Sequence, residues 1–128
     1  MNASKAWYSF AVEDLKMAKL AMKEGIYNQV CFHSQQAVEK SIKSYLEFNG
    51  VVPPKTHKLA DLISITRNGI FKSIKENIIL LDRFYIPTRY PAALPGSMAD
   101  GLPSKEDALA SFKTAEDTVK KVTKLFKG

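Results

Sequence analysis

The chain has 128 residues, of which 45% are hydrophobic and 25% charged, with a formal net charge of +6. That length sets a single domain over residues 1–128 as the expectation, able to bury roughly two thirds of its unfolded surface without covalent staples, and that composition excludes the disordered and membrane-embedded classes. The lone cysteine, Cys31, excludes an internal disulfide and a multi-cysteine zinc site.

The first helix is predicted from Ser4 to Glu24. Ala11, Leu15, Ala18 and Met22 recur at the spacing of one buried face, Trp7 extends it by a turn, and Gly25 supplies the stop. The short link to Asn28 folds the second helix, Tyr27 to Phe48, back antiparallel. Small residues Ala37, Ser41 and Ser44, continued by Val30 and Phe48, make a seam that a neighbouring helix can approach closely. Beside the seam stand His33, Gln35, Gln36, Glu39, Lys40 and Lys43. A merely solvated flank is more often Glu and Lys alone; two glutamines and a histidine both donate and accept, which suits an interface or a ligand.

Asn49-Gly50 ends the second helix, and Pro53-Pro54 keeps the next segment out of helical geometry. Thr56 is the expected N-cap of a short third helix, His57 to Thr66, with Leu59, Leu62 and Ile63 inward. Ser73-Ile74-Lys75-Glu76 has the form of a capping box and starts a fourth helix that Pro87 stops near Tyr85. Ile74, Ile78, Leu81 and Tyr85 share its face, and Ile79 with Leu80 widens that face, so this helix is expected to be well buried. Residues 86–103 hold four prolines and two glycines, the composition of a long functional loop. Ser104, ahead of Glu106 and Asp107, starts a fifth helix to about Leu125, along which Ala108, Phe112, Ala115, Val119, Val122 and Phe126 keep helical spacing. The fold class that follows is all-α: an up-and-down four-helix bundle with an additional short helix.

The chain carries no phosphate-cradling glycine loop and no HExxH, and its two histidines stand far apart with no second cysteine, so neither a cofactor nor a metal is expected. No segment approaches the length of a membrane span, and MNASKAWYSF shows no apolar run after a basic start, which makes the cytoplasm the expected location. Arg89, within Thr88-Arg89-Tyr90-Pro91, can offer a planar fork to phosphate, with Tyr85 or Tyr90 placed to stack on a base.

Four stretches together, AVEDLKMAKLA (11–21), CFHSQQAVEKSIKSYL (31–46), THKLADL (56–62) and YIPTRYP (85–91), resemble the HEPN family of small helical prokaryotic proteins and fall in that family's order. The resemblance implies a bundle of the same kind, nucleotide binding, and a minimal nucleotidyltransferase encoded alongside as partner, in a toxin–antitoxin-like pair. It carries over His33, Gln36, Glu39, Lys40, Lys43, His57, Tyr85, Arg89 and Tyr90 as the ligand- and phosphate-binding set. It carries over no catalytic residue: active members place a histidine four to six residues after an arginine, whereas here the first arginine is Arg67 and the last histidine His57.

The leading expectation is therefore a non-catalytic module, homodimeric by the usual two-fold habit of oligomers, that binds nucleotide or RNA phosphate. Two alternatives stand beside it. One is a metal-independent ribonuclease whose histidine and arginine come from different helices or chains; the other is a structural adaptor that only docks.

Overall fold

The structure, a computed structural model, describes residues 2–67, 69–85, 95–98 and 101–127. Its helices are α1 (Ala3–Lys23), α2 (Tyr27–Phe48), α3 (Leu59–Ile65), α4 (Lys75–Leu80) and α5 (Lys105–Lys127). The fold is all-α, an up-and-down bundle with α3 as its additional short helix. The one strand-like pairing among the described residues is the isolated bridge between Met98 and Gly101.

α1 and α2 run antiparallel. At one end Ser4 and Ser44 exchange hydroxyl-to-carbonyl hydrogen bonds of 2.8 and 2.7 Å, and at mid-helix Asp14 meets His33. Tyr8 bonds Thr123 at 2.7 Å and Phe48 packs edge-on to Phe126, so α5 is antiparallel to α1 and parallel to α2. Between α2 and α5, the start of α3 and the turn that follows α4 lie together, Leu59 meeting Asp82 at 2.7 Å.

α1 and α2 end alike. Behind α1, the Ile26 amide reaches the Ala21 carbonyl and the Gly25 amide that of Met22; behind α2, Val51 reaches Leu46 and Gly50 reaches Glu47. Both are the paired bonds of a Schellman cap, with Gly25 and Gly50 at φ +70° and +78°. α5 starts on a true capping box: the Ser104 hydroxyl accepts from the Asp107 amide at 3.1 Å, and the Asp107 carboxylate accepts from the Ser104 amide at 3.0 Å. That amide, ahead of the hydroxyl and Arg83, holds the Asp107 carboxyl below its usual range against the opposing effect of burial.

The middle of the chain departs from expectation. The fourth rod is composite: a 3-10 turn at Lys72–Ile74, then α4, then a second 3-10 turn at Leu81–Phe84. Ser73 makes no capping box, since Ile74 is the N-cap of α4 and no side chain bonds there. Ile78, Leu81 and Phe84 are buried, but Leu80 is 57% exposed and Tyr85 43% exposed, so this rod shows one face to the core and not two. α3 begins two residues later than expected, after Lys58, and Thr56 does not cap it. Its amide donors at Leu59 and Ala60 are taken by Asp82 from across the fold, at 2.7 and 3.0 Å.

The core runs along α2, twelve of whose residues are buried. Phe71, Phe84, Ile42, Leu46, Leu59, Leu62 and Ile78 are its largest fully buried side chains. The expected small-residue seam is present, with Ala37, Ser41 and Ser44 wholly buried; Phe48, at its end, stays half exposed.

Candidate functional site

α2 is buried nearly all round, so its polar residues serve contacts inside the bundle. They divide into two clusters of one design, a buried carboxylate held between a lysine and a histidine.

The first joins α1 to α2. Asp14 Oδ1 lies 2.9 Å from His33 Nδ1, and its other oxygen takes the ammonium of Lys40. Burial by itself would raise the Asp14 carboxyl; the His33 bond and the Lys40 charge outweigh it and leave that carboxyl below its ordinary value. His33 is 19% and Lys40 25% exposed at the side chain, so both sit at the mouth of the seam.

The second joins α2 to the proline loop. Glu39, with 4% of its side chain exposed, accepts from Lys43 at 3.0 Å and lies 3.2 and 3.3 Å from His57 Nδ1. The Lys43 ammonium also stands over the Trp7 ring, 5.1 Å from its centroid. The His57 ring stacks on Tyr85 at 5.7 Å and 27°. Gln36 and Gln35 extend the second cluster: Gln36 donates to Gln35 at 2.7 Å, and Gln35 donates to the His57 carbonyl at 3.2 Å.

An open groove of about 430 Å³ lies at this second cluster, lined by Lys55, Thr56, His57, Lys58, Asp61, Asp82 and Tyr85. Its size falls in the range of small-molecule sites. Asp82 is committed to the α3 amides, and Asp61 to the Thr56 hydroxyl at 3.4 Å. Lys55 and Lys58 offer cations to a bound anion, and His57 with Tyr85 offers aromatic surface.

Of the residues singled out from sequence, His33 and Lys40 thus belong to one cluster, Glu39, Lys43, His57 and Tyr85 to the other, which Gln36 joins through Gln35. Arg89 and Tyr90 lie outside the described residues. Sequence reasoning missed Asp14, Lys55, Lys58, Asp61 and Asp82. Asp14 was legible, because it falls at the spacing of Ala11 and Ala18 on the buried face of α1. Lys55 and Lys58 bracket His57 directly after the prolines. Asp82 gives no local signal, since its partners lie 22 and 23 residues away. Burial pushes the Cys31 thiol up to about 11, which removes it as a nucleophile. Among the described residues no cluster of three or more His, Cys, Asp or Glu could hold a metal ion, and no helix is long and apolar enough to cross a membrane.

Fold and site define a small up-and-down helical protein with a polar belt around its central helix and, at one side, a groove lined by two lysines, two aspartates, His57 and Tyr85. The HEPN domain family model matches residues 4–125, and the chain belongs to that family. It is 30% identical to the Methanocaldococcus jannaschii protein named "Putative toxin MJ1304", over 97% of this chain and 88% of that one. Among solved structures it resembles ST0689, described as an archaeal HEPN homologue, with TM-score 0.76 and 28% identity over 98% of both chains. It also resembles TT1696 from Thermus thermophilus, with TM-score 0.77 and 27% identity over 97% of this chain and 98% of that one.

Proposed function

We propose that residues 1–128 act as one cytoplasmic HEPN domain, homodimeric and non-catalytic, that binds nucleotide or RNA phosphate and partners a minimal nucleotidyltransferase in a toxin–antitoxin-like pair. The observation that carries the binding reading is the stacked His57–Tyr85 pair in a groove that Lys55 and Lys58 also line. Lysines meet phosphate, aromatic rings accept bases whatever the sequence, and the net charge of +6 favours a polyanion. Arg89 and Tyr90 follow Tyr85 closely in the chain and complete the proposed set. The pairing rests on family membership and on the name borne by the Methanocaldococcus relative.

Calorimetry with ATP, GTP and a short single-stranded RNA tests the reading. Lys58→Ala and Arg89→Ala should each weaken binding by about three- to tenfold, with an affinity that falls as salt rises. Equal binding by wild type and both variants would take these residues out of the site; no binding by any of them would leave the docking-only adaptor. Light scattering should give twice 14.3 kDa, and a co-expressed minimal nucleotidyltransferase should co-elute.

One observation favours a second reading, metal-independent ribonuclease. A buried carboxylate fixing one nitrogen of a half-exposed imidazole is the arrangement of a general base. Cleavage of RNA in EDTA that His57→Ala abolishes and His33→Ala spares would support it; cleavage that survives both changes would remove it.

A further inference from the structure

The imidazole of the groove has one nitrogen already committed. Glu39, sealed beneath it and taking Lys43 as a second donor, can only accept, so His57 Nδ1 carries the hydrogen. In the neutral ring Nε2 is then left as an acceptor, and among the described residues it has no hydrogen-bond partner. Turning the ring to exchange its nitrogens would give up the Glu39 hydrogen bond. Gln35 holds the His57 carbonyl, Glu39 holds Nδ1, and Tyr85 covers a face.

The other polar groups of the groove fall into two kinds. Lys55 and Lys58 only donate. Asp82 is spent on α3, and Asp61 takes the Thr56 hydroxyl and repels phosphate. A ligand that uses both the lysines and Nε2 must carry an anion and a hydrogen-bond donor within one small unit. A ribonucleotide can do so through its 2′-hydroxyl, the one donor that a 2′-deoxyribonucleotide of the same base lacks.

We propose that His57 Nε2 accepts a ribose hydroxyl, so that the groove prefers ribonucleotides to 2′-deoxyribonucleotides, with Glu39 as the positioning residue that fixes the tautomer. This rests on the nucleotide-binding reading above and adds to it the sugar and the residue that reads it.

Hexauridylate and its 2′-deoxy counterpart differ only in the 2′-hydroxyl and serve as probes, titrated into the full chain in mildly alkaline buffer. Wild type should bind the ribo form about five- to tenfold more tightly, the worth of one net hydrogen bond. His57→Phe keeps a ring against Tyr85 but no acceptor; it should bring the ratio to about one whatever it does to the absolute affinities, and circular dichroism at wild-type helix content shows that the variant is folded. Glu39→Gln, able to donate to Nδ1 and reverse the tautomer, should lower the ratio, and Asp61→Asn should preserve it. Equal affinity of wild type for the two probes, or discrimination that survives His57→Phe, overturns this inference and leaves nucleotide binding standing. Failure of both probes to bind wild type overturns the binding reading and this inference with it.

Discussion

Asp82 Oδ1 accepts the Leu59 amide at 2.7 Å, so a residue in the turn that ends the fourth rod caps α3. Its second oxygen takes Ala60, and the first orphan donors of α3 are thereby satisfied from 22 and 23 residues away. Asp82→Ala should cost about 1–2 kcal/mol, the scale of a lost N-cap. Thr56→Ala should cost a few tenths of a kcal/mol, since among the described residues the Thr56 hydroxyl bonds the Lys58 amide, at 3.2 Å, and the exposed Asp61 carboxylate. Denaturant midpoints measure both, and amide exchange at Leu59 and Ala60 should quicken in the Asp82 variant alone.

The Asp14 carboxyl is held below its ordinary value by His33 and Lys40 despite burial. A depressed carboxyl contributes stability that is present above the unfolded value, about 3.9, and is lost as pH falls through the lower folded one. Asp14→Asn should therefore cost stability at pH 6 and cost progressively less below about pH 4. Parallel loss at all pH values would show that the contribution of Asp14 does not depend on its ionisation.

Two serines on one face of α2 should behave oppositely. Ser44 shares reciprocal hydrogen bonds with Ser4, and Ser44→Ala, which strands buried partners, should cost about 1–2 kcal/mol. Ser41 Oγ is buried with no hydrogen-bond partner among the described residues, and Ser41→Ala should be neutral or stabilising by up to about 1 kcal/mol. Thermal melts of the two variants against wild type decide the point.

Gly96 stands at φ +78°, and a Cβ built there would lie 1.8 Å from the Asn28 carbonyl oxygen. The adjacent Pro95 carbonyl takes the Asn28 side chain at 3.0 Å, which pins this part of the loop to the first turn of α2. Gly96→Ala must displace backbone and should cost about 1–3 kcal/mol by chemical denaturation. Gly101→Ala, with nothing within 4 Å of the added carbon, should cost less.

The long helices were legible because their signals are local. α2 runs over the expected residues, Tyr27–Phe48, because apolar periodicity before it and Asn49-Gly50 after it leave no other bounds. α5 opens on Ser104 because the capping partner Asp107 lies three residues on. The same reasoning failed at Ser73, where the pattern of a capping box is present but the chain enters α4 through a 3-10 turn. It failed again at Thr56, because Asp82 supplies the cap from another element.

For the site, the sequence alone marked the unusual polarity of α2 and singled out His33, Glu39, Lys43, His57 and Tyr85, since residue type and helical spacing can be read without coordinates. It could not say which residues meet. That Glu39 turns to His57 while Asp14 holds His33 and Lys40, and that Lys55 and Lys58 line one groove with a stacked His57 and Tyr85, follows from how far apart in the chain the packed helices bring their partners. Periodicity fixes which face of a helix is buried; only the packed bundle decides what that face meets.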